Sequence, residues 1–124
     1  MFRMLESANG DCFEIHSRFI SNSIIGYNRK DIKYEPGWTL VQGVVTGSPD
    51  TEVDGIRFGH SWMEKDNMVW DISNGRDIKL PKDLYYKLGN IKEQECYKYD
   101  EAQTRANILK YGHWGSWEFD GGVQ

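Results

Sequence analysis

A chain of 124 residues falls within the usual span of one domain, residues 1–124, and buries a core without help from disulfides or metal. Its 39% hydrophobic and 14% aromatic content, with five Trp and seven Tyr, excludes a disordered polymer. Fifteen Lys and Arg against nineteen Asp and Glu, interspersed to a net charge of −4, present no basic face, so nucleic acid is not an expected partner.

Arg3, Glu6, Asp11, Glu14 and Arg18 break residues 1–20 into pieces too short for a signal peptide or a membrane span. The expectation is a cytoplasmic protein without membrane association. In that reducing setting the two cysteines, Cys12 and Cys96, are not expected to pair, and each thiol needs its own explanation.

Asn9-Gly10-Asp11 is a turn ending in a good N-cap residue, after which Cys12, Ile15, His16, Phe19, Ile20, Ser23 and Ile24 recur at helical spacing. The spacing predicts a helix over 12–24. Gly26 to Gly37 reads as loop, and Trp38 to Thr46 as a β-branched strand. A polar connection through Gly55 leads to strands over 56–65 and 68–72, joined at Asp66-Asn67, residues that tolerate positive φ. Residues 73–80 read as irregular. Pro81 suits the first position of a short helix ending at Gly89, 91–99 reads as a strand, and Asp100 with Gln103 forms a capping box for a helix to about Tyr111. The Gly-rich aromatic remainder is expected to pack over the body by its tryptophans. This order implies an α+β domain, an N-terminal helix beside an antiparallel sheet of about four strands.

Side chains alternate along a strand, so Phe58, His60, Trp62 and Glu64 share one side. A two-residue turn at Asp66-Asn67 makes paired positions sum to 133, which sets Trp62 opposite Asp71 and makes His60 and Asp71 diagonal neighbours, roughly 7–8 Å apart at Cβ. A three-residue turn would throw Asp71 to the other face. Taken alone, such a pair is most simply a half-buried sheet histidine bonded to a carboxylate.

Cys12 changes the weighing. A thiol in the first turn of a helix sits among unpaired N–H groups that favour the thiolate and that also point toward an attacked carbonyl oxygen. Cysteine at a helix start, histidine on a strand and an acid on the partner strand supply the nucleophile, base and orienting group of thiol-based acyl transfer. Cys12 in GDCFEI, His60 in GHSWME and Asp71 in VWDISNG resemble the Cys, His-x-Trp and Asp elements of the transglutaminase-like branch of the papain-like superfamily. The stretch from LVQGVVTG to YYKLGNI is also similar to small proteins of bacteriophage genomes. The resemblance implies a papain-like core in which a helix carrying the nucleophile packs on an antiparallel sheet carrying the other two residues.

The expected function is therefore a cysteine hydrolase or acyltransferase acting on a peptide or another amide or thioester, with Cys12, His60 and Asp71 catalytic and no metal or cofactor required. Supporting roles fall to Gln42 as an oxyanion donor, His16 one turn after Cys12, Trp62 as a shield against water, and Asn74 as a substitute partner for the histidine. A zinc set of Cys12, His16, Cys96 and His113 lacks paired short ligand spacing. Cys96 reads as structural. The rival expectation is a non-catalytic module that engages a host protein, in the host cytoplasm, through an exposed aromatic tail from Trp114 to Phe119.

Overall fold

The computed structural model describes residues 11–22 and 29–119. Along them run α1 (Cys12–Ile20), β1 (Thr39–Thr46), β2 (Arg57–Lys65), β3 (Met68–Asp71), β4 (Ile78–Pro81), α2 (Lys82–Leu88), β5 (Tyr97–Tyr99) and α3 (Glu101–Tyr111). Short 3-10 turns occupy Ser73–Gly75 and Glu93–Glu95. The five strands form one antiparallel sheet in the order β4-β3-β2-β1-β5. The α+β arrangement with an N-terminal helix on an antiparallel sheet is as expected, with one strand more than the four anticipated.

Helices cover the sheet on both faces, and two apolar clusters result. On one face Ile15, Phe19 and Ile20 of α1 pack with Leu40, Met63, Trp70, Tyr99 and Trp117. On the other, Tyr85 of α2 packs with Val41, Val45, Phe58, Trp62 and Val69. Because β1 and β2 are central and doubly covered, β2 is buried from Phe58 through Glu64, polar residues included. Trp38, Trp62 and Trp70 are all core residues, as their apolar surface requires.

Boundaries move where local signals compete with packing. α1 stops at Ile20 rather than 24, closed by Ser21, and residues 23–28 lie outside the described part of the chain. Pro81 is the last residue of β4 and the N-cap of α2 instead of its first helical residue. β4 itself falls in the stretch expected to be irregular. It is an edge strand of four residues, paired from Met68↔Pro81 to Asp71↔Ile78, with only Ile78 and Leu80 half-buried, too brief for an apolar period. The strand expected over 91–99 shortens to β5, since the 3-10 turn occupies its first half.

The capping box forms as read: Gln103 N–H donates to Asp100 Oδ1 at 2.8 Å and Asp100 N–H to Gln103 Oε1 at 2.9 Å. Gly47 closes the connection before β2, where a Cβ would stand 1.7 Å from the Val53 carbonyl oxygen. The C-terminal segment packs over α1 and β5, with Trp117 buried edge-on to Tyr99 and Trp114 beneath the Arg18 guanidinium. Trp117 is thus core, which removes it from the exposed docking tail considered above.

Candidate active site

The hairpin decides where His60 and Asp71 lie. Asp66 and Asn67 both take left-handed φ, 52° and 63°, the backbone of a two-residue turn whose twist matches the strands. β2 and β3 accordingly pair as Met63↔Trp70, Glu64↔Val69 and Lys65↔Met68, all summing to 133. The ladder stops there. Beyond it, on the face of α2, the diagonal pair closes: His60 Nε2 lies 3.0 Å from Asp71 Oδ2.

Asp71 has no solvent exposure, and each of its oxygens is bonded. Oδ2 accepts from His60 and from the Tyr85 hydroxyl at 2.8 Å. Oδ1 accepts from the Ser73 amide at 2.9 Å and its hydroxyl at 2.6 Å. Burial works against the anion, but the charge and hydrogen bond of His60, with the bonds from Ser73, hold Asp71 well below the usual carboxylate range.

Cys12, the first residue of α1, is the other ionisable neighbour of the imidazole. The imidazole's Nε2 is committed to Asp71, which leaves Nδ1 as the ring's second nitrogen. Burial disfavours the imidazolium here, yet the Cys12 and Asp71 charges and hydrogen bonds outweigh it and push His60 up to about 10. Cys12 is 7% exposed and His60 1%, so the array is almost closed to solvent.

The start of α1 is pinned from two sides. Asp11 occupies the N-cap position but makes no side-chain cap; its Oδ1 accepts instead from the Asn74 amide at 2.7 Å. The helix thereby docks on the Ser73–Gly75 turn, and its first-turn N–H groups keep no side-chain acceptor from Asp11. One turn on, buried His16 accepts the Ile72 N–H at Nε2, 3.0 Å away. That bond fixes the proton on Nδ1, so the ring is neutral and its 3.6 Å approach to Asp71 Oδ1 is no ion pair. Burial lowers His16 to about 4 despite Asp71. Arg29 grips the same turn, donating to the Ile72 and Arg76 carbonyls.

The other expected residues separate. Trp62 flanks the imidazole, ring centroids 6.0 Å apart at 29°, and is fully buried. Asn74 is exposed, with left-handed φ of 55°, and its amide serves Asp11; the partner of His60 is Asp71, and Asn74 is a turn residue. His16 supports the strand end at Ile72. Gln42 pairs with Ser61, on the opposite face from His60 and on the α1 side. It is fully buried, and neither amide atom has a partner among the described residues; a Cβ on Gly115 would meet its Nε2 at 2.3 Å and Phe13 at 3.2 Å.

Cys96 lies over Gly43, bonded to the Lys92 carbonyl, and burial pushes its thiol up to about 11. Among the described residues no group of His, Cys, Asp or Glu is disposed to hold a metal ion, and no helix is long and apolar enough to cross a membrane. Two residues of the site carried little warning. Ser73 had one, since Asp followed two residues later by Ser is an Asx-type turn pattern; Tyr85 had none beyond apolar spacing on α2.

Searches against protein-family models, curated proteins and solved structures found no match.

Proposed function

We propose that this protein is a cysteine hydrolase or acyltransferase acting on an amide or thioester, with Cys12 as nucleophile, His60 as proton carrier and Asp71 as the group that orients and charges the imidazole. The observation that carries the reading is the meeting of all three side chains, distant in sequence, around one buried imidazole. The sulfur stands at a helix N-terminus, where backbone N–H groups face it, and neighbours the imidazole that carries the proton. The sulfur attacks the carbonyl carbon, His60 gives its proton to the departing amine or thiol, and an acyl-Cys12 thioester forms. Water or an amine then attacks that thioester while His60 takes its proton, which releases the acyl product and restores the pair.

The negative oxygen of each tetrahedral intermediate needs donors. The first-turn N–H groups of α1, which Asp11 does not cap, supply them in this reading, and the unpartnered Gln42 amide beside Phe13 is the side-chain candidate. Trp62 excludes water from one side of the ring. The same arrangement, a nucleophile-bearing helix against an antiparallel sheet carrying His and Asp, supports a transglutaminase-like, papain-like core.

The test is capture of the acyl intermediate. Incubation with an activated acyl ester followed by peptide mapping should place the acyl group on Cys12, with labelling abolished in Cys12→Ala and greatly slowed in His60→Ala. Acylation confined to Cys96, or equal labelling in His60→Ala, would refute the assignment.

A further inference from the structure

Around His60 the side chains close a ring that the triad alone does not explain. His60 bonds Asp71 Oδ2, Asp71 Oδ2 also accepts from Tyr85, Tyr85 packs on Trp62 at 5.5 Å between ring centroids, and Trp62 flanks His60. Tyr85 therefore touches two of the groups that border the imidazole, the anion at its edge and the indole on its face. It is fully buried on α2, where a phenylalanine would satisfy the packing equally well, so the hydroxyl is the part that needs a reason.

We infer that Tyr85 is a positioning residue of this site, its hydroxyl sharing Asp71 Oδ2 with His60 so as to fix which carboxylate oxygen the imidazole faces and how strongly that oxygen pulls on it. The other oxygen is already occupied by Ser73, so a rotation of the carboxylate would break bonds at both ends. Burial and the Asp71 charge push the phenol well above its ordinary value, Cys12 acting in the same sense and Arg76 against it, which keeps the group a donor wherever the protein is folded. Removing the hydroxyl leaves Oδ2 with one donor instead of two, and His60 then meets a stronger acceptor. The catalytic meaning of this device rests on the acyl-transfer reading; the hydrogen bond itself does not.

The experiment is proton NMR of histidine-labelled protein, following the His60 Nε2–H resonance, which is assigned by its loss in His60→Gln. In Tyr85→Phe it should move downfield. In protein made with 3-fluorotyrosine, whose more acidic hydroxyl donates more strongly, it should move upfield, and that upfield shift should vanish in the Tyr85→Phe background. Tyr86→Phe, which removes a hydroxyl from Glu64 instead, should leave the resonance in place. A resonance unmoved in Tyr85→Phe, or moved equally by Tyr86→Phe, overturns the inference; if Tyr85→Phe does not fold, an unmoved resonance in the fluorotyrosine protein overturns it. None of these signals needs turnover. An unreactive Cys12 with a displaced resonance would sink only the catalytic reading, and a reactive Cys12 with an unmoved one only the role of Tyr85.

Discussion

Adjacent tyrosines of α2 serve two carboxylates on one face of the sheet. Tyr85 donates to Asp71 and Tyr86 to Glu64, and Trp62 lies between, flanking His60 and donating to Glu64 Oε2 at 2.9 Å. Glu64 sits at a rim: it retains 9% exposure and has Lys82 and Lys98 within 3.7 and 3.4 Å. Both lysines also reach Glu93. Asp71 has no exposure and no lysine among the described residues; its compensating charge is a histidine that also neighbours a thiol. The difference teaches that a buried carboxylate with an aromatic escort is not in itself a site. What separates the two is the kind of cation facing each, a lysine reached by water or an imidazole reached by a nucleophile.

The largest effect expected from breaking this comparison is at Asp71. Asp71→Ala strands His60, Tyr85 and Ser73 together without solvent, and should cost about 3–5 kcal/mol of stability in urea unfolding. Glu64→Gln keeps an acceptor for Trp62 and Tyr86 at a wetter position and should cost within about 1 kcal/mol. Equal losses at the two positions would erase the distinction.

A second contrast is between the buried histidines, and it predicts the shape of stability against pH. His60 has a folded value of about 10, above the ordinary 6.5, so its contribution is complete below 6.5 and is lost as pH rises toward 10. His16 goes the other way. Its folded value of about 4 means that the neutral ring's contribution is complete above 6.5 and is lost as pH falls toward 4. Asp71, held low, adds stability that is present above its unfolded value and lost as acid protonates it in the folded state. Thermal melts from pH 4 to 10 should show both declines; His60→Gln should flatten the alkaline one and His16→Gln part of the acid one, with Glu64→Gln flattening neither. The smallest effect belongs to the far surface, where Leu109 is 85% exposed and Leu109→Ser should stay within about 0.5 kcal/mol in the same unfolding assay.

The sequence made parts of this site readable because they follow from local rules. A two-residue turn fixes strand parity, and parity placed His60 and Asp71 together; a cap residue before an apolar period placed Cys12 at a helix start. What it hid depends on contacts made across the fold. Tyr85 meets Asp71 only because the β4 edge strand, unreadable at four residues, sets α2 against the end of β3. Arg29 grips the turn after Asp71 from 43 positions away, with no local pattern to announce it. Gln42 lies within a strand whose period says nothing of whether an amide finds a partner there. Asn74 takes a left-handed backbone that asparagine tolerates, and Asp71 holds the place beside the histidine.

The most direct test of the central claim is the rate of iodoacetamide alkylation at Cys12 against pH, with Cys96 in the same molecule as the internal reference. The account predicts that Cys12 reacts at neutral pH while Cys96, raised by burial, does not, and that His60→Ala removes the neutral-pH reaction of Cys12. Cys12 that reacts no faster than Cys96 at neutral pH, or that keeps its rate in His60→Ala, would contradict it.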